Sequence, residues 1–244
     1  MYQNFAYLYD EFMKNVDYHE WTSKVEDIFR KYGKNPKTIA DLACGTGGVT
    51  NILAAHGYQV IGVDISEDML YVAREKARKS GLQVPYICQD ISELSLHHPV
   101  DAILCMCDGF NYILEKEKLK RSLERIHQHL NSEGILIFDI SSHYKLSSIL
   151  GNNTMADTGE DLSLIWLNHF DKETQLLEMN LTIFEKQEAC YERIEEIQLQ
   201  RAWKNEEILN MLKECGFSNI TTYSSKGLTP PGKRSHRIYF SCEV

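Results

Sequence analysis

No apolar run among the 244 residues approaches the roughly 20 needed to cross a bilayer, which excludes a membrane-spanning helix. A basic segment ahead of an apolar stretch is also missing near Met1, where Asp10 and Glu11 stand instead, so no signal peptide is expected. The seven cysteines include no Cys-x-x-Cys pair, and their number is odd. Reduced, mostly buried thiols and a cytoplasmic location follow as expectations. Cys105, Cys107 and the His97-His98 pair lack the spacing of zinc ligands, so no metal is expected. A net charge of −9 disfavours a broad polyanion-binding surface, because affinity for nucleic acid comes chiefly from neutralising phosphates. Against that balance, Lys226, Lys233, Arg234, His236 and Arg237 surround a Pro230-Pro231-Gly232 turn. These cations form either an ordinary solvated loop or one that meets an anionic group of a bound molecule. With 43% hydrophobic residues the chain can build one sizeable core plus an insertion, but hardly two full domains.

What is present centres on Thr-Ile-Ala-Asp-Leu-Ala-Cys-Gly-Thr-Gly-Gly-Val-Thr at residues 38–50. A short strand runs into a turn that needs glycine at Gly45 and Gly47, and an apolar-periodic helix follows. The next apolar run, 58–63, delivers Asp64 to a position where its carboxylate can accept from a ribose diol. Asp64 lies 23 residues after Asp41, the spacing of one strand–helix–strand unit that binds a nucleotide. The dinucleotide fingerprint Gly-x-Gly-x-x-Gly/Ala is absent: read from Gly45, its last position falls on Thr50. Asp41 instead places a carboxylate where a pyrophosphate would sit, which suits a cation or an amino group.

Further runs extend the unit. Ser66 is placed to cap a helix with Glu67 and Asp68 in its first turn, and Gly81 ends it. A third strand at 84–88 ends in Gln89-Asp90-Ile91. A fourth at 100–106 leads to Cys107-Asp108-Gly109-Phe110-Asn111-Tyr112, and a fifth covers 135–140. Short apolar runs alternating with helical patterns indicate a parallel sheet buried on both faces. Ligands of such sheets sit beyond the carboxyl ends of the strands, so Gly45, Asp64, Asp90 and Asp108 should line one rim.

Asp41, Gly45, Gly47 and Asp64 together resemble motif I and its partner acid in the class I S-adenosylmethionine-dependent methyltransferases, whose cofactor carries a sulfonium and no phosphate. The resemblance covers about residues 37–145 and 203–244. It implies an α/β fold: a Rossmann-like, doubly wound, seven-stranded and mostly parallel sheet with an antiparallel last strand. It further implies S-adenosyl-L-methionine as cofactor, held by Asp41, Ala43, Cys44, Gly45 and Gly47 at the turn. Asp64, Ile65 and Met69 after the second strand, Gln89, Asp90 and Ile91 after the third, and Cys107 after the fourth complete that set. Tyr9-Asp10, Gly62-Val63-Asp64, Ser66, Asp68-Met69-Leu70 and residues 106–112 are similar to small bacterial methyltransferases of undefined acceptor and to the aminosugar N,N-dimethyltransferases. The Asp/Asn-Pro-Pro-Tyr signature of adenine- and glutamine-methylating enzymes is absent, with Asp108-Gly109-Phe110-Asn111 in its place.

Three segments depart from the minimal fold. Residues 1–21 carry seven of the 25 aromatics (Tyr2, Phe5, Tyr7, Tyr9, Phe12, Tyr18 and Trp21), too many for a disordered tail. Asp17 and Glu20 form a capping-box pattern, and Trp21, Val25, Ile28, Phe29 and Tyr32 recur at helical spacing until Gly33. Residues 1–36 are therefore read as a helical lid, with Tyr9 or Trp21 closing over the cofactor. The second segment, 151–202, holds strand-like runs at 162–166, 176–184 and 191–203, reached through Asn152-Asn153 and 159–161. It reads as a small inserted antiparallel sheet that covers the acceptor, pairs two copies of the chain, or both. The third is a closing hairpin, 219–223 and 237–240, after a helix at 206–215. The core then comprises 37–150 and 203–244.

The expected reaction is in-line methyl transfer to a small polar acceptor, an amine among the candidates. Asp108, Tyr112, His143 and His236 are the residues near the rim that could act as a general base, and Asn111 and Tyr112 could orient the acceptor; none is assigned a catalytic role. Methylation of RNA or a ribosomal component, a non-catalytic cofactor-binding protein and a hydride-transfer enzyme are the alternatives. Turnover of labelled cofactor against amines, sugars and tRNA separates the first two, and tight NAD binding would mark the last.

Overall fold

The computed structural model describes residues 5–244, so the Tyr2 reading lies outside the described residues. Two helices come first, α1 (Phe5–Phe12) and α2 (Tyr18–Lys31). Asp17 caps α2 by accepting from the backbone N–H groups of His19 and Glu20, as its spacing from Glu20 predicts. The alternating region gives β1 (Thr38–Leu42), α3 (Gly48–Ala55), β2 (Gln59–Asp64), α4 (Glu67–Lys79), β3 (Tyr86–Cys88), β4 (Val100–Cys105), α5 (Lys116–Gln128) and β5 (Leu130–Ser141). Ser66 caps α4 through the Met69 N–H at 3.3 Å. A π-helical segment, Lys145–Leu150, then leads into β6 (Thr154–Thr158), β7 (Leu162–Asp171), β8 (Leu176–Lys186) and β9 (Tyr191–Arg201). The chain closes with α6 (Asn205–Glu214), β10 (Ser218–Ser224) and β11 (Arg237–Glu243).

The main sheet has seven strands in the order β10-β11-β5-β4-β1-β2-β3. Pairings among β1 to β5 are parallel, and β11 runs antiparallel to both β5 and β10. The α/β class, the doubly wound sheet and its reversed last strand are thus as expected. Alternate side chains feed two cores because successive strand residues point to opposite faces. Ile39, Ala102, Leu104, Ile135, Ile137 and Tyr239 meet α2 and α3 on one face. Ala40, Ile103, Leu136, Phe138 and Phe240 meet α5 and α6 on the other. Phe138 and Phe240 stack there at 4.8 Å between ring centroids.

The inserted sheet is β6-β7-β8-β9, antiparallel throughout. β6 lies in a stretch read as the flexible approach to the insert, where Thr154–Thr158 is exposed along its whole length and so shows no burial pattern to read. The inner face packs at one end on α1 and α4, through Leu164, Leu181 and Ile183 against Ala6, Tyr9, Phe12 and Met69. At its other end, Phe170, Leu177 and Met179 pack on Leu146 and Leu150 of the π-helical segment. No helix among the described residues is long and apolar enough to cross a membrane. All seven cysteines are free, but only Cys105 and Cys242 are buried. The expectation of mostly buried thiols is therefore corrected: Cys88 sits at the end of edge strand β3 and Cys190 in the β8–β9 turn, both exposed.

Candidate active site

The carboxyl ends of β1, β2, β4 and β5 form one rim. After β1 the backbone enters the left-handed region at Ala43 (φ 51°), Gly45 (φ 54°) and Gly47 (φ 76°). Only glycine adopts that region without a steric penalty, so Ala43 marks a strained position of the kind found at functional sites. A Cβ on Gly47 would lie 2.5 Å from the Tyr86 hydroxyl, whereas one on Gly45 would meet nothing within 4 Å. Gly45 therefore faces open space at the rim. Gly47 begins α3 without a side-chain cap, which leaves backbone N–H groups pointing at the same rim.

Two acids brace this turn. Asp64 at the end of β2 accepts from the Gly45 N–H at 2.8 Å and the Ser66 N–H at 2.9 Å. Burial raises its carboxyl above the ordinary range, against the pull of those two donors. Asp41, inside the sheet, accepts from the Thr50 hydroxyl at 2.5 Å. Burial pushes Asp41 up to about 7, and the nearby Asp64 adds to the rise. Asp10 ties α1 to the same turn, accepting from the Thr46 hydroxyl at 2.6 Å and from Lys76 of α4 at 2.8 Å. Its sequence neighbour Tyr9 brings its hydroxyl to 3.8 Å from the Cys107 sulfur. Burial raises the Tyr9 phenol, and Cys107, Tyr18 and Tyr112 add to the rise, so these groups gather over the end of β4.

A charge cluster lies beneath them. Cys107 (φ 59°) and Asp108 (φ 53°) are also left-handed, held there by Asp139, whose carboxylate accepts from the Cys107 N–H at 2.7 Å and the Asp108 N–H at 3.1 Å. Arg237 of β11 bonds both acids, Asp139 and, at 3.0 Å, Asp108. Asp108 also accepts from the Ser141 hydroxyl and the Gln200 amide, each at 3.0 Å. Burial alone would raise Asp108, but Arg237 and then Lys145 hold its carboxyl down at about 2. Lys145 donates to Ser141 at 3.1 Å, and burial lowers its ammonium against the attraction of Asp108. Asn111 fastens the ends of β5 and β9, donating to the Ser141 and Arg201 carbonyls and accepting from the Ser141 N–H.

The inserted sheet is bonded directly to this rim. Besides Gln200 on Asp108, Gln198 accepts from the Tyr112 hydroxyl at 3.1 Å. The sequence reading missed Gln198, Gln200, Asp139 and Lys145. A signal for Asp139 was present: an acid inside the apolar run 135–140 must be paired if the strand is buried on both faces.

The sequence-selected residues divide. Asp41, Ala43, Cys44, Gly45, Gly47 and Asp64 are brought together at the turn, and Tyr9 meets Cys107 at the end of β4. Ile65 stands beside them 62% exposed, an uncovered apolar face at the rim, while Met69 and Ile91 are buried. Gln89 and Asp90 are committed locally. Gln89 accepts from the Ser95 N–H, and Asp90 accepts from Ser92 and pairs with Lys118 at 2.8 Å. The Trp21 ring lies over the Arg237 guanidinium at 5.1 Å, so its face already holds a protein cation. Arg237 is turned inward from the basic loop, and Lys226, Lys233, Arg234 and His236 remain exposed. His143 is engaged by Gln175 at 2.6 Å.

Strand order, a strained glycine turn braced by the acid of β2, and a reversed last strand define a nucleoside-binding transferase architecture. The Methyltransferase domain family model matches residues 39–134. The YqeM protein of Bacillus subtilis (strain 168) is 33% identical over 244 residues, spanning 100% of this chain and 97% of that protein. The crystal structure of an S-adenosylmethionine-dependent methyltransferase from Clostridium acetobutylicum ATCC 824 superposes with a TM-score of 0.91 at 33% identity, covering 100% of this chain and 98% of that one. Over 126 residues, 52% of this chain and 48% of its relative, the sequence is 27% identical to dTDP-3-amino-3,6-dideoxy-alpha-D-glucopyranose N,N-dimethyltransferase of Streptomyces fradiae. The chain belongs to the class I S-adenosylmethionine-dependent methyltransferases.

Proposed function

We propose that this methyltransferase acts on a small polar acceptor, an amine foremost, bound between the strand-end rim and the inner face of the inserted sheet. The observation that carries this reading is the pair of bonds from Gln198 to Tyr112 and from Gln200 to Asp108. They seat the four-stranded sheet on the rim as a fixed roof, which suits a small molecule better than an extended polymer. The named action of the Streptomyces fradiae relative on an amino sugar supports the same class.

The residues at the rim fit the cofactor. The open space at Gly45 accepts a chain that a Cβ would obstruct, and the exposed Ile65 offers an apolar face for the adenine. In this reading Asp64 holds the ribose hydroxyls, and the uncapped start of α3 with Asp41 nearby accommodates the amino-acid tail. Ala43, Cys44 and Gly47 shape the turn around it. Met69, Gln89, Asp90 and Ile91 enclose the base from behind Ile65. Tyr9 and Cys107 lie nearest the reacting end, with Trp21 one layer further out, against Arg237. When bound, S-adenosylmethionine supplies a methyl group made electrophilic by its positive sulfur.

What the chain itself contributes is alignment and exclusion of water. Alignment of two reactants is worth about 7–11 kcal/mol of barrier. Asp108, with its carboxyl at about 2, is unsuited to take a proton near neutral pH, where an efficient base titrates close to the working pH. His143 and Tyr112 are engaged by Gln175 and Gln198. An acceptor whose nucleophile arrives as a neutral amine requires no base at the moment of attack, in keeping with this rim. The test is transfer of a labelled methyl group from S-adenosylmethionine to a panel of amines, amino sugars, tRNA and protein. Label in the small amines supports the reading; label confined to tRNA or protein contradicts it.

A further inference from the structure

The inner face of the inserted sheet is apolar at both ends and polar in the middle. Register places Leu164, Ile183 and Ile194 in one row and Phe170, Leu177 and Gln200 in another. Between them lie two central rows, Trp166–Leu181–Glu196 and Asn168–Met179–Gln198. Three side-chain atoms in these central rows are buried with no hydrogen-bond partner among the described residues: Trp166 Nε1, Asn168 Oδ1 and Glu196 Oε1. Asn168 is only 8% exposed, and its Nδ2 donates to the Asn153 carbonyl at 3.2 Å, which fixes Oδ1 as the orphaned acceptor. Each such atom carries an uncompensated desolvation cost unless something satisfies it. Three on one face, next to Gln198 and its Tyr112 bond, call for a common cause.

We infer that Trp166, Asn168 and Glu196 form the recognition row for the methyl acceptor, which must present N–H or O–H donors to two oxygens and a lone pair to the indole. This rests on the small-acceptor reading above and deepens it. Two of the three groups are hydrogen-bond acceptors and one of those is a carboxylate, so the part of the molecule under the roof is an amine or a polyhydroxylated group. A phosphate or carboxylate there would face Glu196 and leave Asn168 Oδ1 unsatisfied. A site built to hydrogen-bond its substrate rejects analogues lacking those groups far more strongly than an apolar pocket does.

Two measurements on the intact chain decide the matter. In the ligand-free protein, Glu196→Met removes the carboxylate with its unpaired Oε1 in favour of an apolar chain of similar length, and the thermal midpoint should rise. An unchanged or lower midpoint overturns the assignment, because the carboxylate would then already be satisfied. In the second, labelled S-adenosylmethionine is incubated with the protein and the small-molecule fraction of a bacterial extract, and the labelled products are separated and identified by mass spectrometry. The labelled product should carry an amine or a polyhydroxylated group, whatever its net charge. Trp166→Phe and Glu196→Met should each slow its formation at least about tenfold, the size expected when a buried hydrogen bond to substrate is lost, with affinity for S-adenosylhomocysteine unchanged. A product with neither group, or full rates in both variants, overturns the inference. If the wild-type protein labels nothing in this fraction, the small-acceptor reading fails, and the midpoint alone decides whether the row holds unsatisfied groups.

Discussion

Arg237 of the reversed last strand lies between the carboxylates of Asp108 and Asp139 and donates one N–H to each. It thereby locks the ends of β4, β5 and β11 into a single corner of the rim. Taking one partner from a buried ion pair costs about 3–5 kcal/mol, because the other charge is left without compensation. Arg237→Met should lower the unfolding free energy by that amount in urea titrations. The double change Arg237→Met with Asp139→Leu should not recover the loss, because Asp139 also holds the Cys107 and Asp108 N–H groups and Asp108 keeps its charge. A single-variant loss of only about 0–1 kcal/mol, the range of exposed pairs, would show that the pair is solvated.

Asp41 and Asp108 should respond to pH with opposite sign. Asp41 has its folded carboxyl raised to about 7 from the ordinary 3.8, so its contribution to stability is complete below about pH 4 and lost as pH rises through 7. Relative to Asp41→Asn, the wild-type protein should lose roughly 1.4 kcal/mol per pH unit across that window. Asp108 is depressed to about 2 from 3.8, so its contribution is present above pH 4 and lost as pH falls toward 2. Urea unfolding at pH 5 and pH 8 checks the first claim; an Asp41→Asn variant with the same pH slope as wild type contradicts it.

Gly45→Val puts a branched side chain into open space at a left-handed position. Strain of about 1–3 kcal/mol is expected from the backbone, with no new collision inside the protein. Binding of S-adenosylhomocysteine in calorimetry should be abolished while the variant still unfolds cooperatively. Normal binding would place the cofactor elsewhere.

Asp64→Ala should weaken S-adenosylhomocysteine binding by at least about tenfold, through loss of a charge-assisted contact worth roughly 1.5–3 kcal/mol. Folding should suffer as well, because Asp64 also holds the Gly45 and Ser66 N–H groups. A variant with unchanged affinity contradicts the assignment.

Most of the main sheet could be read from the chain because its strands are short apolar runs ended by glycine or acid. Gly45 and Gly47 were legible because left-handed backbone favours glycine, and Asp64 because it is an acid ending the apolar run that follows that turn. The charge cluster was not. Arg237 reads as one cation of a basic loop until β11 pairs with β5 and sets Arg237 opposite Ser141. Asn168 and Glu196 gave no signal as single residues, because their significance lies in a cross-strand register between β7, β8 and β9 that no local pattern specifies. β6 escaped notice for the simpler reason that its residues are exposed on both faces.

The most direct test of the central claim is a crystal structure of the protein with S-adenosylhomocysteine bound. The account predicts the ribose on Asp64, the tail passing over Gly45, and the sulfur directed toward Cys107 and Tyr9 beneath the inserted sheet. A nucleoside seated anywhere other than the carboxyl ends of β1 and β2 would contradict it.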